Sequence, residues 1–220
     1  KNSGRYNKLI ANAVLPKEHL SYDGDKIIYG KSLLIEPMKA IESWTQESIL
    51  IKGSAANFFY DMGLWKVLNG AGEILATGSH VVIAAGFGIN DLRLRDNFDL
   101  RYTRGQLTWA QTHSQVNRPL TYGGYALPLD SGLLLGASHG HVSRMEGQDP
   151  YALLEEDDLE NLNSFNTALS LKAEKAERPS RSAVRVITKD TLPKFDEVQT
   201  GLWCLTGLGS RGFVYAPLLG

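Results

Sequence analysis

The sequence predicts a mixed α+β fold of the α/β class, and three observations carry that prediction. Short β-prone runs recur between Gly, Pro, Asn and Asp turns, helical periodicity is confined to a few segments, and the two do not alternate regularly. A doubly wound parallel sheet needs that alternation, so the strands are expected to form mixed or antiparallel sheets. A chain of 220 residues is long enough to bury a substantial core.

The segment "DKIIYG" reads as a strand, and "IEPMKAIESWTQ" as a helix behind Pro37, with Ile35, Met38, Ile41 and Trp44 at helical spacing. "ANFFYD", "LWKVLN" and "EILATG" read as a small antiparallel meander turning at Gly63 and at "NGAG". "SHVVIAAGFGIND" reads as a buried strand, Val81 to Ala85, ending in glycines at 86 and 88. From Asp99 to Ser138, "DLRYTRGQLTWAQ", "LTYGGYALPLD" and "GLLLGAS" predict a second sheet. "PYALLEEDDLENLNSFNTALSLKAEKAE" predicts one long helix with Leu159, Leu162, Phe165 and Leu169 as its apolar stripe and an acidic start and basic end matching the helix dipole. After Pro179 come the strand "SAVRVIT", a turn "KDTLPKFDEVQTG", the strand "LWCLTG" and a glycine turn opening a helix near Arg211.

Composition narrows the function classes. Hydrophobic residues make up 43% and charged residues 21% of the chain, as in soluble domains. With 23 Lys plus Arg against 24 Asp plus Glu, the net charge of −1 provides no global field for a polyanion, so any such partner must use local patches. Two clusters qualify: Arg93, Arg95, Arg101 and Arg104, and Lys172, Lys175, Arg178 and Arg181. The single Cys204 excludes an internal disulfide and a multi-cysteine zinc site, and with no membrane-length apolar run it points to a cytoplasmic protein. His139 and His141 in "SHGH" lack the further ligands a metal site needs, so no metal is expected. The opening without Met and the short tail after the glycine turn read as a piece of a longer protein.

That glycine turn, "GLGSRG", has the spacing G-x-G-x-x-G, yet the eight residues after it exclude the first phosphate turn of a nucleotide domain. Its glycines let backbone N–H groups approach a ligand while the following helix points its positive end at the same spot.

In the order "VVIAAG", "YTRGQLTWAQT", "YGGYALPLDSGLLLGASH", "RVITKDTLP" and "TGLGSRGFVYAPLLG", residues 26 to 220 resemble one family. It is the FAD-dependent oxidoreductase module of the bifunctional tRNA 5-methylaminomethyl-2-thiouridine biosynthesis enzyme, a relative of glycine oxidase and D-amino-acid oxidase. The resemblance implies part of a two-domain flavoprotein whose first nucleotide-binding βαβ unit is missing from this sequence. It assigns 47–92 and 180–220 to the FAD domain, and 26–46 and 93–179 mainly to the substrate domain. It implies that Gly207, Leu208, Gly209, Ser210, Arg211 and Gly212 face the flavin of FAD, and that Arg185 grips a substrate carboxylate, which a guanidinium fork suits. Tyr125, and less directly Tyr122, would bind the same carboxylate. Arg104, Gly105 and Gln106 form the family's "RGQ", with a structural or tRNA-facing role. The implied activity is oxidation of the carboxymethylaminomethyl group of a tRNA wobble uridine with release of glyoxylate, tRNA being the substrate and a methyltransferase module the partner in the full-length enzyme. The alternatives are an oxidase of small glycine-like amines and a non-catalytic fragment lacking its FAD half. Cys204 is expected as a buried, inert thiol.

Overall fold

The computed structural model describes residues 19–23, 26–92, 94, 98–141 and 149–219. The chain divides into two compact units, residues 1–50 and 51–220.

In the first unit, β1 (Leu20–Asp23) and β2 (Lys26–Tyr29) form an antiparallel hairpin with Leu20 opposite Tyr29. Helix α1 (Pro37–Trp44) follows, started by Pro37 and closed by the Thr45 N–H on the Ile41 carbonyl.

The second unit opens with the meander expected from the sequence, β3 (Asn57–Asp61), β4 (Leu64–Leu68) and β5 (Ile74–Gly78). Strand β6 (Val81–Ile83) runs parallel to a later strand and gives way to a 3-10 turn at Gly86–Asn90, so this strand ends two residues earlier than predicted. Trp65, Ile83, Ile89, Leu202 and Cys204 form one buried cluster around it.

A seven-stranded sheet is built on the long strand β7 (Leu100–Thr112). Around it lie β8 (Leu120–Thr121), β9 (Tyr125–Leu129), β10 (Gly132–Gly136) and β11 (Gly140–His141). Helix α2 (Glu155–Leu169) crosses one face and leads to β12 (Ala173–Lys175) and β13 (Arg181–Thr188), both antiparallel to β7. Strand β13, which the sequence reading groups with the flavin-side part, pairs with β7 over its eight residues. Strands β14 (Lys194–Gln199) and β15 (Leu202–Thr206) join β6 in a three-stranded sheet, and helix α3 (Gly212–Leu219) closes the described chain.

The structure departs from two expectations. The long helix expected to run through residue 177 stops at Leu169, because Ser170 turns left-handed (φ 52°) and residues 173–175 are drawn into the sheet by β7. Its basic end therefore lies outside the helix, and its buried face carries Asp157, Asp158 and Asn161 beside Leu162 and Phe165, while Leu159 is exposed. The stretch read as one turn after Thr188 contains β14, whose alternation is hidden by charged residues on a half-exposed ribbon.

Candidate functional site: an arginine, a tyrosine and a glycine turn on one sheet face

Residues along a strand alternate between faces, and β7 uses the alternation to separate structure from site. Arg104, Gln106 and Thr108 are buried towards α2. The Arg104 guanidinium donates to the Asp157 carboxylate, to the Ala152 carbonyl and, at 2.8 Å, to Gln106 Oε1. Gln106 Nε2 donates to the Leu154 carbonyl at 2.7 Å and to Asp158 Oδ1 at 2.8 Å. Thr108 and Ser180 hydroxyls donate to the same Asp158 oxygen at 2.7 and 2.6 Å, and Lys175 pairs with the other. Burial opposes charge on Asp158, but the bonds from Lys175, Ser180, Thr108 and Gln106 outweigh it and hold the carboxyl below its ordinary range. Arg104 and Gln106 of the "RGQ" are thus a structural lock between β7 and α2, and Arg104 is unavailable to phosphate.

Thr103, Gly105, Leu107 and Trp109 take the opposite face. Arg185 stands opposite Thr103 on β13, and its side chain reaches over Gly105, where a methyl group would come within 2.7 Å of Cζ. Only glycine leaves that space, since carbon and nitrogen atoms settle at roughly 3.5–4 Å. The half-buried Tyr125 stands opposite Gly136, where a methyl would lie 2.6 Å from the phenol oxygen. Gly105 and Gly136 are therefore two recesses that seat the arginine and the tyrosine on one face. Arg185 has no carboxylate within ion-pair distance among the described residues, and its Nη1 lies 3.4 Å from His139 Nδ1. Burial raises the Tyr125 phenol above its ordinary value, and the charge of Arg185 pulls it partly back.

The glycine turn meets the same strand one residue further on. Gly209 donates its N–H to the Val186 carbonyl at 2.9 Å, and Leu208 bridges to Ile187. Gly207 and Gly209 take positive φ, 75° and 56°, a conformation that side chains resist. A methyl at Gly212 would meet nothing within 4 Å, so no side chain covers the backbone there, while the Val214 and Tyr215 N–H groups both bond the Arg211 carbonyl. The Arg211 side chain turns away, donating to the Thr191 carbonyl at 2.8 Å and to the Tyr215 hydroxyl at 3.1 Å. What the turn offers a ligand is backbone rather than a guanidinium. A cradle of this kind fits the polar edge of a flavin ring.

Tyr122 packs edge-on against Phe165 at 5.9 Å and gives its hydroxyl to the Tyr125 carbonyl, with burial pushing its pKa up to about 12; it belongs to the core. Cys204 is fully buried, and burial raises its thiol to about 11. Arg93, Arg95 and the side chain of His141 lie outside the described residues; among those described, no metal-binding cluster of His, Cys, Asp and Glu occurs. Lys172 pairs with Glu174 and Lys175 with Asp158, whereas Arg178 lies 3.7 Å above the Trp109 ring. Sequence reasoning missed His139 as the neighbour of Arg185 and missed the recesses at Gly105 and Gly136. The glycine inside β7 and the one ending β10 were the signal available.

An arginine and a tyrosine seated on one sheet face beside a glycine turn form a candidate anion-binding site. Residues 50–220 match the family model described as FAD dependent oxidoreductase, and the chain belongs to that family. Its relatives include the tRNA 5-methylaminomethyl-2-thiouridine biosynthesis bifunctional protein MnmC of Caulobacter sp. (strain K31), 35% identical over 89% of this chain and 32% of that protein. The protein of the same name from Caulobacter vibrioides is 34% identical over 84% of this chain and 30% of its own length. The chain thus spans about a third of these relatives. Among solved structures, glycine oxidase from Geobacillus kaustophilus superposes with a TM-score of 0.60 at 21% identity, over 76% of this chain and 45% of that one. Iminodiacetate oxidase from Chelativorans sp. gives a TM-score of 0.55 at 18% identity, over 74% and 46%. These two share the fold. No helix among the described residues is long and apolar enough to cross a membrane.

Proposed function

We propose that this chain carries the substrate-gripping part of an FAD-dependent oxidase that acts on the carboxymethylaminomethyl group of a tRNA wobble uridine. The observation that carries this reading is Arg185, seated over Gly105 without a carboxylate partner and next to Tyr125 and the glycine turn. A half-buried guanidinium needs an anion, and a planar carboxylate satisfies its fork with two parallel bonds. The similarity to proteins named for tRNA 5-methylaminomethyl-2-thiouridine biosynthesis supports a glycine-like carboxylate held on a nucleoside.

In this reading Arg185 fixes the carboxylate, and Tyr125, kept protonated by its raised pKa, donates a further hydrogen bond to it. The α-carbon is thereby held at one distance from the backbone of residues 207–212, which would support the pyrimidine edge of the cofactor through N–H groups other than those of Gly209 and Arg211, which already bond the Val186 and Leu208 carbonyls. When bound, FAD supplies the two-electron acceptor: hydride leaves the glycyl α-carbon, the N–Cα bond becomes an imine, and water cleaves it to glyoxylate and the aminomethyl nucleoside. A methyltransferase module in the same polypeptide would consume that amine.

The test is incubation of the full, flavin-loaded protein with tRNA bearing the carboxymethylaminomethyl group and, in parallel, with free glycine. Glyoxylate released from tRNA, with an aminomethyl nucleoside left behind, supports the reading. Turnover of free glycine with none of tRNA would make the chain a small-amine oxidase, and a colourless protein inert towards both would make it a non-catalytic fragment.

A further inference from the structure

The face that carries Arg185 and Tyr125 continues beyond them. Its next row is Leu127 on β9, Leu134 on β10 and Trp109 on β7, paired across the strands, and all three are only partly buried. Rows on one face follow at roughly 7 Å, two residues of strand rise, so Trp109 stands one row from Tyr125 and about 13 Å from Gly105. Over the Trp109 ring lies the Arg178 guanidinium at 3.7 Å, and Arg181, opposite Leu107, stands between this pair and Arg185. Arg178 and Arg181 are exposed, and neither has a carboxylate within ion-pair distance among the described residues.

Glu177 precedes Arg178 in the chain without an ion pair to it among the described residues, and two other carboxylates of the region are engaged elsewhere. Glu174, opposite Gln111 at the far end of the face, pairs with Lys172, and Asp158 lies on the other face with Lys175. The lysines that share this sequence cluster are therefore paired, and Arg178 and Arg181 are its cations without an ion pair among the described residues. An apolar floor bordered by a stacked cation and a second free cation matches an unstacked base flanked by its phosphate. Single-stranded RNA is held by stacking of this kind on aromatic rings and guanidinium planes.

We propose that Trp109 and Arg178 form a stacking platform for a nucleotide next to the modified uridine, with Arg178 and Arg181 holding the adjoining phosphates. The proposal rests on the tRNA reading above and adds to it the surface that distinguishes a nucleic-acid substrate from a free amino acid. Trp109 lies two rows from the Gly105 recess on the same sheet face, so the neighbouring base would lie along that face from the one in the site.

The test is the affinity of the full, flavin-loaded protein for a fluorescein-labelled anticodon stem-loop, read by anisotropy across a salt series. The double variant Arg178→Glu, Arg181→Glu is expected to bind at least tenfold more weakly and to lower the salt slope by about 1 to 2. Arg178→Lys keeps the charge but not the plane, and is expected to lose roughly threefold to tenfold through stacking, with less quenching of tryptophan fluorescence by RNA. Thermal melting identifies any variant that fails to fold, and Arg181→Glu alone, on an exposed position, then serves in its place. RNA affinity and salt slope unchanged in these folded variants, while the parent oxidises modified tRNA, would overturn the platform and leave the tRNA reading standing. A parent that oxidises only free glycine and does not bind the stem-loop would overturn both.

Discussion

Arg185 and Gly105 form a fitted pair: the guanidinium lies where a methyl on Gly105 would come within 2.7 Å of Cζ. Gly105→Ala must therefore move Arg185 or the strand beneath it. The arginine, on a half-exposed face, is the softer partner, so stability should change little. The expected result is a KM for the carboxylate substrate raised roughly tenfold or more with a smaller fall in kcat, measured by steady-state kinetics alongside a melting curve.

In the proposed reading Arg185→Ala removes the charged hydrogen bonds to the carboxylate, each worth about 1.5–3 kcal/mol. A fall in kcat/KM of roughly 10² or more is expected. Arg185→Lys should recover only part of it, because an ammonium cannot make the two parallel bonds. Equal activity of the Lys variant and the parent would exclude a bidentate grip.

Tyr125 has a phenol raised first by burial and lowered less by Arg185, so it remains a donor throughout neutral and mildly alkaline pH. Substrate KM should show no ionisation from this residue up to mildly alkaline pH. Tyr125→Phe should raise KM about threefold to tenfold without changing the profile's shape over that range, which a pH series of initial rates can check.

Breaking the lock between β7 and α2 should cost stability rather than chemistry. Arg104→Met leaves Asp157 without its buried partner, a loss of about 3–5 kcal/mol in comparable pairs. Replacing Arg104 and Asp157 together by apolar residues should restore much of it. Denaturant titration of the single and double variants separates the two cases.

Asp158 makes the same seam sensitive to acid. Its folded pKa lies below the unfolded value of about 3.9, so its contribution is complete above that value and disappears as pH falls through the lower folded pKa. Stability should therefore drop below about pH 4, and Asp158→Asn should flatten that limb while lowering the plateau. Melting temperatures between pH 2 and 7 test this.

The local elements were legible in the residues themselves. Alternation and turn chemistry around Gly63 and "NGAG" predicted the meander, Pro37 predicted the start of α1, and the spacing of Gly207, Gly209 and Gly212 predicted a strand ending in a bare turn before a helix. Helix α2 was legible only in part. A periodicity argument counts apolar residues, and the buried face of α2 holds Asp157, Asp158 and Asn161 because β7 presents Arg104, Gln106 and Thr108 to them across the chain.

The meeting of Arg185 with Tyr125 could not be read from spacing, since sixty residues separate them and only strand register brings them to one face. Register also decided which residues share a face: Gly105 and Gly136 became recesses, Arg178 settled on Trp109, and Arg104, three residues after Arg101, was buried away from solvent. The chain's order carries period and turn type, which are short-range. Pairing across β7 is long-range, and a slip of one residue there would exchange the site face for the core face.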